Sequence, residues 1–437
     1  MTTTPAAGPS AAASPEATLR LSQLLKRPVA DSSGESIGRL ADVIVRLRGT
    51  DYPLVTGVVV AVGGRDIFVP IERVSGFAGD PLRLSRKRLR LRPFDRRDGE
   101  VLLRADVLGH RLIDVRSARL VRAADLELGP DRQEWVLSGV GTRRRPRRLF
   151  GLLAPSPQDD AAVFRDWHDF EWLIGHESSA LLRGPFARIR RLKPAQIADL
   201  LEDASKEEET EILGRVHADP ELEADVFEEL DEDLAIRLLG ARTDTEIAAV
   251  LARMRADDAA DAIAELPQRR RQPVLDLLPA APRAKVLTLM GFNSTSAGGL
   301  MGMDFVALPC LATVGEALTR VRESTALQPE ALTSVHAVDA GGGLRGVARL
   351  VTLVQADPGA RLIDVSDTDP VQVGAGTDIT DVAVLMTDYN LITIPVVDDA
   401  RRLLGVITVD DVLEVALPED WRRRDAAVPP SSRHADP

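Results

Sequence analysis

Two aspartates four residues apart are the residues whose types and spacing point most directly to chemistry. Asp257 and Asp261 lie in the string "ADDAADAIAEL", whose apolar spacing predicts an amphipathic helix. Residues four apart share one face of a helix, so the two carboxylates would lie together and repel each other. A divalent cation bound between the two carboxylates and a partner surface relieves that repulsion. The pair predicts a cation site, with an ordinary solvated acidic face as the alternative.

No motif in the sequence strongly indicates catalysis. "GESIG" at 34–38 formally matches a nucleophile elbow, but the surrounding alternation predicts a hairpin turn with no following helix. "DVSDTDP" at 364–370 lacks the glycine and terminal glutamate of a calcium loop. The single cysteine, Cys310, excludes an internal disulfide and a cysteine-cluster zinc site, and His168 beside Trp167 is expected to be structural. We therefore expect a protein that is not an enzyme.

The chain has 437 residues, a length that predicts about three domains. Charge is spread unevenly along it. Residues 1–150 hold 27 Lys and Arg against 17 Asp and Glu, a balance of +10 that leaves −22 for the remainder. The acidic part attracts cations and repels nucleic acid, whereas the basic part could meet an acidic partner, an anionic lipid surface or RNA. The apolar string "VLTLMGFNSTSAGGLMGM" is broken by polar residues and glycines, so no membrane span is expected.

Three regions follow one another along the chain. Residues 20–148 alternate in the manner of strands, and 26–45 is echoed by 104–128, which predicts two short sheets or a small barrel. Residues 160–292 repeat short amphipathic helices at a spacing of about 12 residues, which predicts a right-handed helical solenoid. Residues 300–416 contain two β-α-β-like units that repeat after about 65 residues.

The first region resembles the PRC-barrel family, on "DSSGESIGRLADVIV" followed by "VTGVVVAVGGRDIFVPIERV". The resemblance implies a small β adaptor and no catalysis. The last region resembles a tandem pair of CBS domains. With the strings "ADDAADAIAEL", "SAGGLMGMDFVALP", "TVGEAL" and "LGVITVDDVLEV" in this order, the chain from about 185 to 420 is similar to the cytosolic half of the MgtE magnesium-transporter family.

The predicted fold class is therefore a multidomain α+β protein, with a barrel-like PRC region, a helical superhelical solenoid and a tandem CBS pair. The predicted boundaries are a disordered tail at 1–19, the PRC-like region at 20–150, possible in two copies, the helical domain at 160–292, the first CBS unit at 300–360, the second at 361–418, and a disordered tail at 422–437. The family's linker and transmembrane helices are expected to be absent after Trp421.

The MgtE resemblance implies Mg²⁺ binding between the helical domain and the CBS pair, in a compact form that holds a following membrane domain shut. The positions that match family ion-binding residues are Asp225, Asp257, Asp261, the carbonyl of Gly299, Asp378, Asp411, Glu414 and Glu419. Thr380 and Asn390 stand where acidic ligands are common, so a lower affinity or fewer ions is expected.

The CBS resemblance implies a second ligand, an adenine nucleotide. The ribose contact of such domains is a Thr/Ser-x-x-Asp pattern, which Thr408 and Asp411 supply in the second unit and which Arg349 and Thr352 break in the first. Asp411 would then serve either a ribose or a metal ion.

The leading hypothesis is a non-enzymatic, cytoplasmic Mg²⁺ sensor that closes when the cation binds. Alternatives are an adaptor that responds to nucleotides or acts as a scaffold through residues 1–150, and RNA binding by the basic region, although nucleic acid is the less favoured partner. The resemblance also implies a homodimer through the CBS domains and a protein partner whose identity the sequence does not give.

Overall fold

The computed structural model describes residues 18–85, 96–97, 99–132, 134–142, 163–173, 188–325 and 329–416. Contacts divide the chain into two compact units, residues 1–219 and 220–437, which are described separately below. Most of the predicted N-terminal tail and the whole tail at 422–437 lie outside the described residues.

The first unit is built on one thirteen-stranded sheet. Its strands are β1 (Leu19–Arg20), β2 (Pro28–Ala30), β3 (Ser36–Arg48), β4 (Asp51–Val62), β5 (Arg65–Pro70), β6 (Val74–Gly76), β7 (Leu82–Leu84), β8 (Glu100–Leu102), β9 (Arg111–Asp114), β10 (Arg119–Asp131), β11 (Glu134–Thr142), β12 (Val163–Asp166) and β13 (Phe170–Trp172). The order runs β13-β9-β10-β11-β4-β3-β2-β7-β6, with four strands paired off this path. The strands thus form a single open network, in which β4 pairs with β11 at Val136 and Leu54.

The two stretches that echo each other in sequence each contribute a strand to a long hairpin, β3 to the hairpin β3–β4 and β10 to the hairpin β10–β11. Each hairpin carries an aspartate that caps a short helical turn of the other half. Asp42 on β3 accepts hydrogen bonds from the backbone N–H groups of Arg104 (2.7 Å) and Ala105 (3.0 Å). Asp125 on β10 accepts from the backbone N–H (3.0 Å) and the hydroxyl (2.5 Å) of Ser22, in α1 (Leu21–Leu24). The two halves therefore stabilise each other reciprocally, and they share one apolar core.

Two helices close the first unit, α2 (Pro194–Glu202) and α3 (Lys206–Val216). The side chain of Arg111 on β9 pairs with Glu208 at 3.0 Å, and Arg215 pairs with Glu171 at 3.0 Å. These ion pairs attach α3 to the sheet. His168 is held between Asp166 (2.7 Å from Nδ1) and the carbonyl of Thr50 (2.8 Å from Nε2), a structural position as predicted.

The second unit begins with short amphipathic helices. They are α4 (Pro220–Glu228), α5 (Glu232–Gly240), α6 (Asp244–Leu251), α7 (Ala256–Glu265), α8 (Gln268–Leu277) and α9 (Ala280–Leu289), followed by the four-residue α10 (Ala297–Leu300). Each helix contacts the next but one: α4 packs on α6, α5 on α7, α6 on α8 and α7 on α9. Helices of this length are marginal alone, so this alternate stacking supplies their apolar core. The stacking fits the predicted solenoid, and its handedness stays a prediction.

Two repeats of one β-α-β-β-α order complete the second unit. The first contains β14 (Val306–Pro309), α11 (Val314–Glu323), β15 (Ser334–Val338), β16 (Leu344–Arg349) and α12 (Leu350–Gln355). The second contains β17 (Val373–Gly374), α13 (Ile379–Asp388), β18 (Thr393–Val397), β19 (Leu403–Thr408) and α14 (Val409–Ala416). In each, the first strand pairs in parallel with the second and the second antiparallel with the third. The predicted CBS pair is confirmed.

Candidate functional site

The helix that carries the predicted acidic pair presents its two aspartates differently. Asp257, in the first turn of α7, is 6% exposed, whereas Asp261 one turn later is exposed to solvent. Although Asp261 reaches solvent, the protein atoms around its carboxyl group remove part of its hydration, and this is the largest cause of a rise in its pKa to about 6. The neighbouring carboxylates of Asp258, Glu232 and Glu265 add to the rise. The carboxylate adjacent to Asp257 is that of Asp258, which also adds to the rise in the pKa of Asp257. The like-charged pair in this structure is therefore 257 with 258.

The last helix, α14, begins with a closed hydrogen-bonded ring between Thr408 and Asp411. Oδ2 of Asp411 accepts from the backbone N–H of Thr408 at 2.7 Å and from its hydroxyl at 2.9 Å. The N–H of Asp411 donates back to the Thr408 hydroxyl at 3.4 Å. This arrangement is a capping box, which satisfies the free N–H groups at a helix start. Thr408 and Asp411, which the sequence predicts as ribose ligands, are therefore hydrogen-bonded to each other.

A single arginine connects the two helix starts. Arg255 is the N-cap residue of α7, and its backbone N–H donates to Glu228 Oε1 at 2.6 Å. Its guanidinium is surrounded by carboxylate oxygens on the acidic sides of α4, α7 and α14. The distances are 2.6 Å from Nε to Asp258 Oδ2, 3.0 Å from Nη1 to Asp411 Oδ1, 3.6 Å from Nη2 to Glu414 Oε2, and 4.0 Å from Nη2 to Asp257 Oδ2 and from Nε to Glu228 Oε2. We call these six residues the Arg255 cluster.

The Arg255 cluster holds more negative charge than its arginine neutralises. Burial raises the pKa of Glu228 to about 7, and the nearby Asp258 carboxylate adds to the rise. Burial also raises the pKa of Asp257, Asp258 and Asp411, although Arg255 acts in the opposite direction on all three. A carboxylate whose pKa rises is short of compensating positive charge or hydrogen-bond donors. The cluster therefore favours the uptake of protons or of a further cation.

One observation favours a metal ion in the Arg255 cluster and another opposes it. Asp257 Oδ1 is buried and has no hydrogen-bond partner, and such a carboxylate oxygen is a donor that Mg²⁺ prefers. Against this, no three acidic, histidine or cysteine side chains of the described residues converge as metal ligands would. In the Arg255 cluster the carboxylates are instead spread around the guanidinium. The donor chemistry suits Mg²⁺, and the arrangement requires the arginine to move before an ion binds directly.

The remaining predicted ligands lie in other places. Asp225, on α4, is exposed and close enough to Glu228 to raise its pKa further. Asp378 is the N-cap of α13, where its Oδ1 accepts from the N–H of Thr380 at 2.8 Å, which lowers its pKa. Glu419 lies outside the described residues. The acidic positions thus do not all share one point in the described part of the second unit.

Gly299 has a steric role of its own. It belongs to the buried turn α10, where a Cβ atom would lie 2.3 Å from the carbonyl oxygen of Asn293. The same turn bonds to the start of the second CBS unit, since the N–H of Ala297 donates to the Thr377 carbonyl at 2.8 Å. Ser296 also forms a β-bridge with Asp378. Backbone pairing therefore places the turn that carries Gly299 beside the segment that leads into α13, with Ser296 rather than Gly299 opposite Asp378.

Three members of the Arg255 cluster were not predicted: Arg255, Asp258 and Glu228. A signal for the first two was present, because an arginine directly before "ADDAAD" lies three residues from Asp258 and can pair with it on the first turn. Glu228 carries no such signal. Its contact depends on α4 packing near the start of α7, which only the tertiary structure supplies.

Comparisons with known proteins agree with the predicted organisation. Residues 192–295 match the MgtE intracellular N domain, residues 362–418 the CBS domain and residues 16–80 the PRC-barrel domain. None of the helices in the described ranges has the length and apolar character to cross a membrane.

Curated relatives give the same relationship. The chain is 39% identical to the magnesium transporter MgtE of Thermus thermophilus over 164 residues, 36% of each protein. It is 25% identical to that of Bacillus subtilis over 231 residues, 53% of this chain and 51% of the relative. The chain thus spans about a third to a half of these relatives' length.

Among solved structures, the cytosolic domain of the Mg²⁺ channel MgtE in complex with ATP is 29% identical, with a TM-score of 0.49, over 55% of this chain and 95% of that one. The soluble part of a magnesium transporter is 25% identical, also with a TM-score of 0.49, over 52% of this chain and 89% of that one. The predicted recognition is confirmed: this chain matches the PRC-barrel domain, the MgtE intracellular N domain and the CBS domain, and over a third to a half of its length it is homologous to MgtE magnesium transporters.

Proposed function

We propose that this protein is a non-enzymatic regulatory protein of the cytoplasm that senses Mg²⁺ at the Arg255 cluster. The observation that carries the proposal is the buried Asp257 carboxylate, whose Oδ1 has no hydrogen-bond partner, in a cluster where five carboxylates surround one guanidinium. Similarity to the cytosolic part of magnesium transporters supports the choice of cation.

The residues themselves suggest how sensing would work. Asp257 and Asp258 belong to α7 in the helical region, whereas Asp411 and Glu414 belong to α14 in the second CBS unit. A cation bound by carboxylates of both helices favours the arrangement in which the helices approach each other. The ion shifts the equilibrium only by its difference in affinity for the two arrangements. Closure of α7 on α14 would be the output of the sensor.

The test is thermal unfolding of the full chain in EDTA, in millimolar MgCl₂ and in NaCl of equal ionic strength. We expect Mg²⁺ to raise the melting temperature beyond the NaCl sample, because a ligand of the folded state stabilises it by about 2.7 kcal/mol at a hundredfold excess over Kd. X-ray scattering should show a smaller radius of gyration in Mg²⁺. Equal curves in MgCl₂ and NaCl, with no change in scattering, would refute the proposal.

Parallel titrations with AMP and ATP test the adaptor alternative. Both oxygens of Asp411 are engaged, Oδ2 by Thr408 and Oδ1 by Arg255, so a ribose would have to share this carboxylate with the two residues or displace one of them. We therefore expect weaker heats for nucleotides than for Mg²⁺. RNA binding predicts instead an affinity that falls steeply with salt.

The output partner is a separate proposal. We propose that residues 1–150, with their balance of +10, form the docking region for a protein partner, and that the CBS pair forms a homodimer. Pull-down with the full chain, compared with a chain lacking these residues, identifies the partner. Sedimentation of the full chain measures the oligomeric state.

A further inference from the structure

Arg255 occupies the position from which one cation can contact both helices. Its backbone is fixed at the start of α7, where its N–H donates to Glu228 at 2.6 Å. Its Nε is 2.6 Å from Asp258 on the same helix, and its Nη1 is 3.0 Å from Asp411 on α14. The side chain is 24% exposed, so most of it is enclosed by the residues it joins.

The chemistry of arginine suits this position. A guanidinium has five N–H donors in a rigid planar fork, stays charged at every physiological pH and sheds water more readily than an ammonium group. It can therefore contact carboxylates on two elements at once, as a divalent cation does. Because Arg255 is part of the chain, its local concentration at the cluster is far higher than that of a free ion.

We propose that Arg255 is a built-in cation that joins α7 to α14 in the metal-free protein and competes with Mg²⁺ for the same carboxylates. This inference rests on the proposed Mg²⁺ site and adds its regulation. In the metal-free protein the guanidinium holds α7 and α14 together in part of the molecules, and Mg²⁺ makes this closed arrangement predominant, so closure remains the output of the sensor. Direct binding of Mg²⁺ then requires the guanidinium to leave Asp411 and Asp258, so Arg255 sets the Mg²⁺ concentration to which the protein responds.

Three variants of the full chain test this role. Arg255→Gln removes the charge, and Arg255→Lys keeps the charge without the fork. Arg253→Gln is the matched control, because Arg253 lies two residues away and pairs at 3.1 Å with the exposed Glu221, outside the cluster.

Two readouts are needed. The separation of α7 from α14 is followed by spin labels at one exposed residue of each helix, Glu265 on α7 and Ala416 on α14, in a Cys310→Ser background, by electron–electron distance measurement. Titration calorimetry measures the Kd for Mg²⁺. In EDTA we expect a longer or broader distance distribution in Arg255→Gln and an intermediate one in Arg255→Lys. We expect Mg²⁺ to restore the short distance in Arg255→Gln, with a Kd about tenfold lower than that of the wild type, within the usual range of coupling between sites.

The outcomes separate this inference from the proposed function. If Arg255→Gln and Arg253→Gln have the same distances in EDTA, Arg255 does not join the helices and the inference is wrong. If Arg255→Gln opens but binds Mg²⁺ no more tightly than the control, Arg255 does not compete with the ion, and the inference is again overturned. If neither the wild type nor any variant binds Mg²⁺, the proposed function is wrong. The proposed competition between Arg255 and Mg²⁺ is then wrong as well, whether or not Arg255→Gln shows a longer distance in EDTA. If Arg255→Gln does not fold, the distances in EDTA and the Kd for Mg²⁺ are compared between Arg255→Lys and Arg253→Gln instead.

Discussion

Nη1 of Arg255 lies 3.0 Å from Oδ1 of Asp411, and this ion pair joins the N-cap of α7 to the first turn of α14 across 156 residues of sequence. The Asp411 side chain is 5% exposed, and its other oxygen is engaged by Thr408. One carboxylate therefore starts a helix and connects that helix to another region of the second unit.

Replacement of Asp411 by asparagine should weaken this connection. The amide retains part of the contact with Thr408 but no longer balances the charge of Arg255, and removal of one partner of a largely buried charge pair costs about 2–5 kcal/mol. We expect a loss near the lower end, since Asp258 still pairs with Arg255 at 2.6 Å. Asp410→Asn is the control, because Asp410 is exposed on the same turn. Equal urea unfolding curves for the two variants would show that the ion pair contributes nothing.

The buried Asp42 predicts a stability of the first unit that falls as pH rises. Burial raises its pKa to about 6, despite backbone N–H groups of Arg104 and Ala105 that favour the carboxylate. The folded state then holds the proton more tightly than the unfolded chain, so folding stability decreases between about pH 4 and 6, by up to about 3 kcal/mol. Asp42→Asn cannot ionise and should remove this slope.

The measurement is urea unfolding followed by tryptophan fluorescence in a Trp421→Phe background, where the remaining tryptophans, at 135, 167 and 172, all belong to the first unit. A slope of the same size in Asp42→Asn would assign the pH dependence to another group.

In the second unit His336 should contribute a slope of the opposite sign, which adds to the slope from the carboxylates of the Arg255 cluster and is isolated by comparing the wild type with His336→Leu. This residue is fully buried on β15, its Nδ1 is 3.1 Å from the carbonyl of Val306, and burial lowers its pKa to about 4. In the unfolded chain His336 takes up a proton near pH 6.5, whereas in the folded state it stays neutral down to about pH 4. The free energy of unfolding therefore falls as pH drops from about 6.5 to 4, by up to about 3 kcal/mol. His336→Leu should lose this dependence. Hydrogen exchange of β15 amides between pH 5 and 7, corrected for intrinsic rates, measures the effect in this unit alone, and an unchanged pH slope in the variant would contradict it.

Much of this organisation follows from local pattern. The alternation around "IGRLADVIVRL" predicts β3, and the short helical repeats predict α2 to α8, because each pattern reflects which face is buried. The string "VLTLMGF", in contrast, gave no separate helix prediction, yet its first four residues form the end of α9, which stops at Leu289. Its apolar residues lack a clear helical period, so only packing on α7 indicates the helix.

The candidate site was predictable in part. Asp257 and Asp411 were found because each lies in a short motif, and the structure brings both to the Arg255 cluster. The pairing of Asp257 with Asp261 was expected from helical spacing alone, but the packing of α7 buries the first and exposes the second. The role of Arg255 depends on a contact with a residue 156 positions away, which no local pattern contains.

The most direct test of the account is calorimetric titration of Mg²⁺ into the wild type, Asp257→Asn and Glu265→Gln. The asparagine side chain has nearly the same shape as that of aspartate but carries no charge, and Glu265 is an exposed acid on the same helix. We predict Mg²⁺ binding by the wild type and Glu265→Gln, and a loss of at least about tenfold in affinity in Asp257→Asn, whose melting temperature in EDTA is unchanged or higher because a buried like charge is gone. Equal Mg²⁺ affinity in all three proteins, or none in the wild type, would contradict the account.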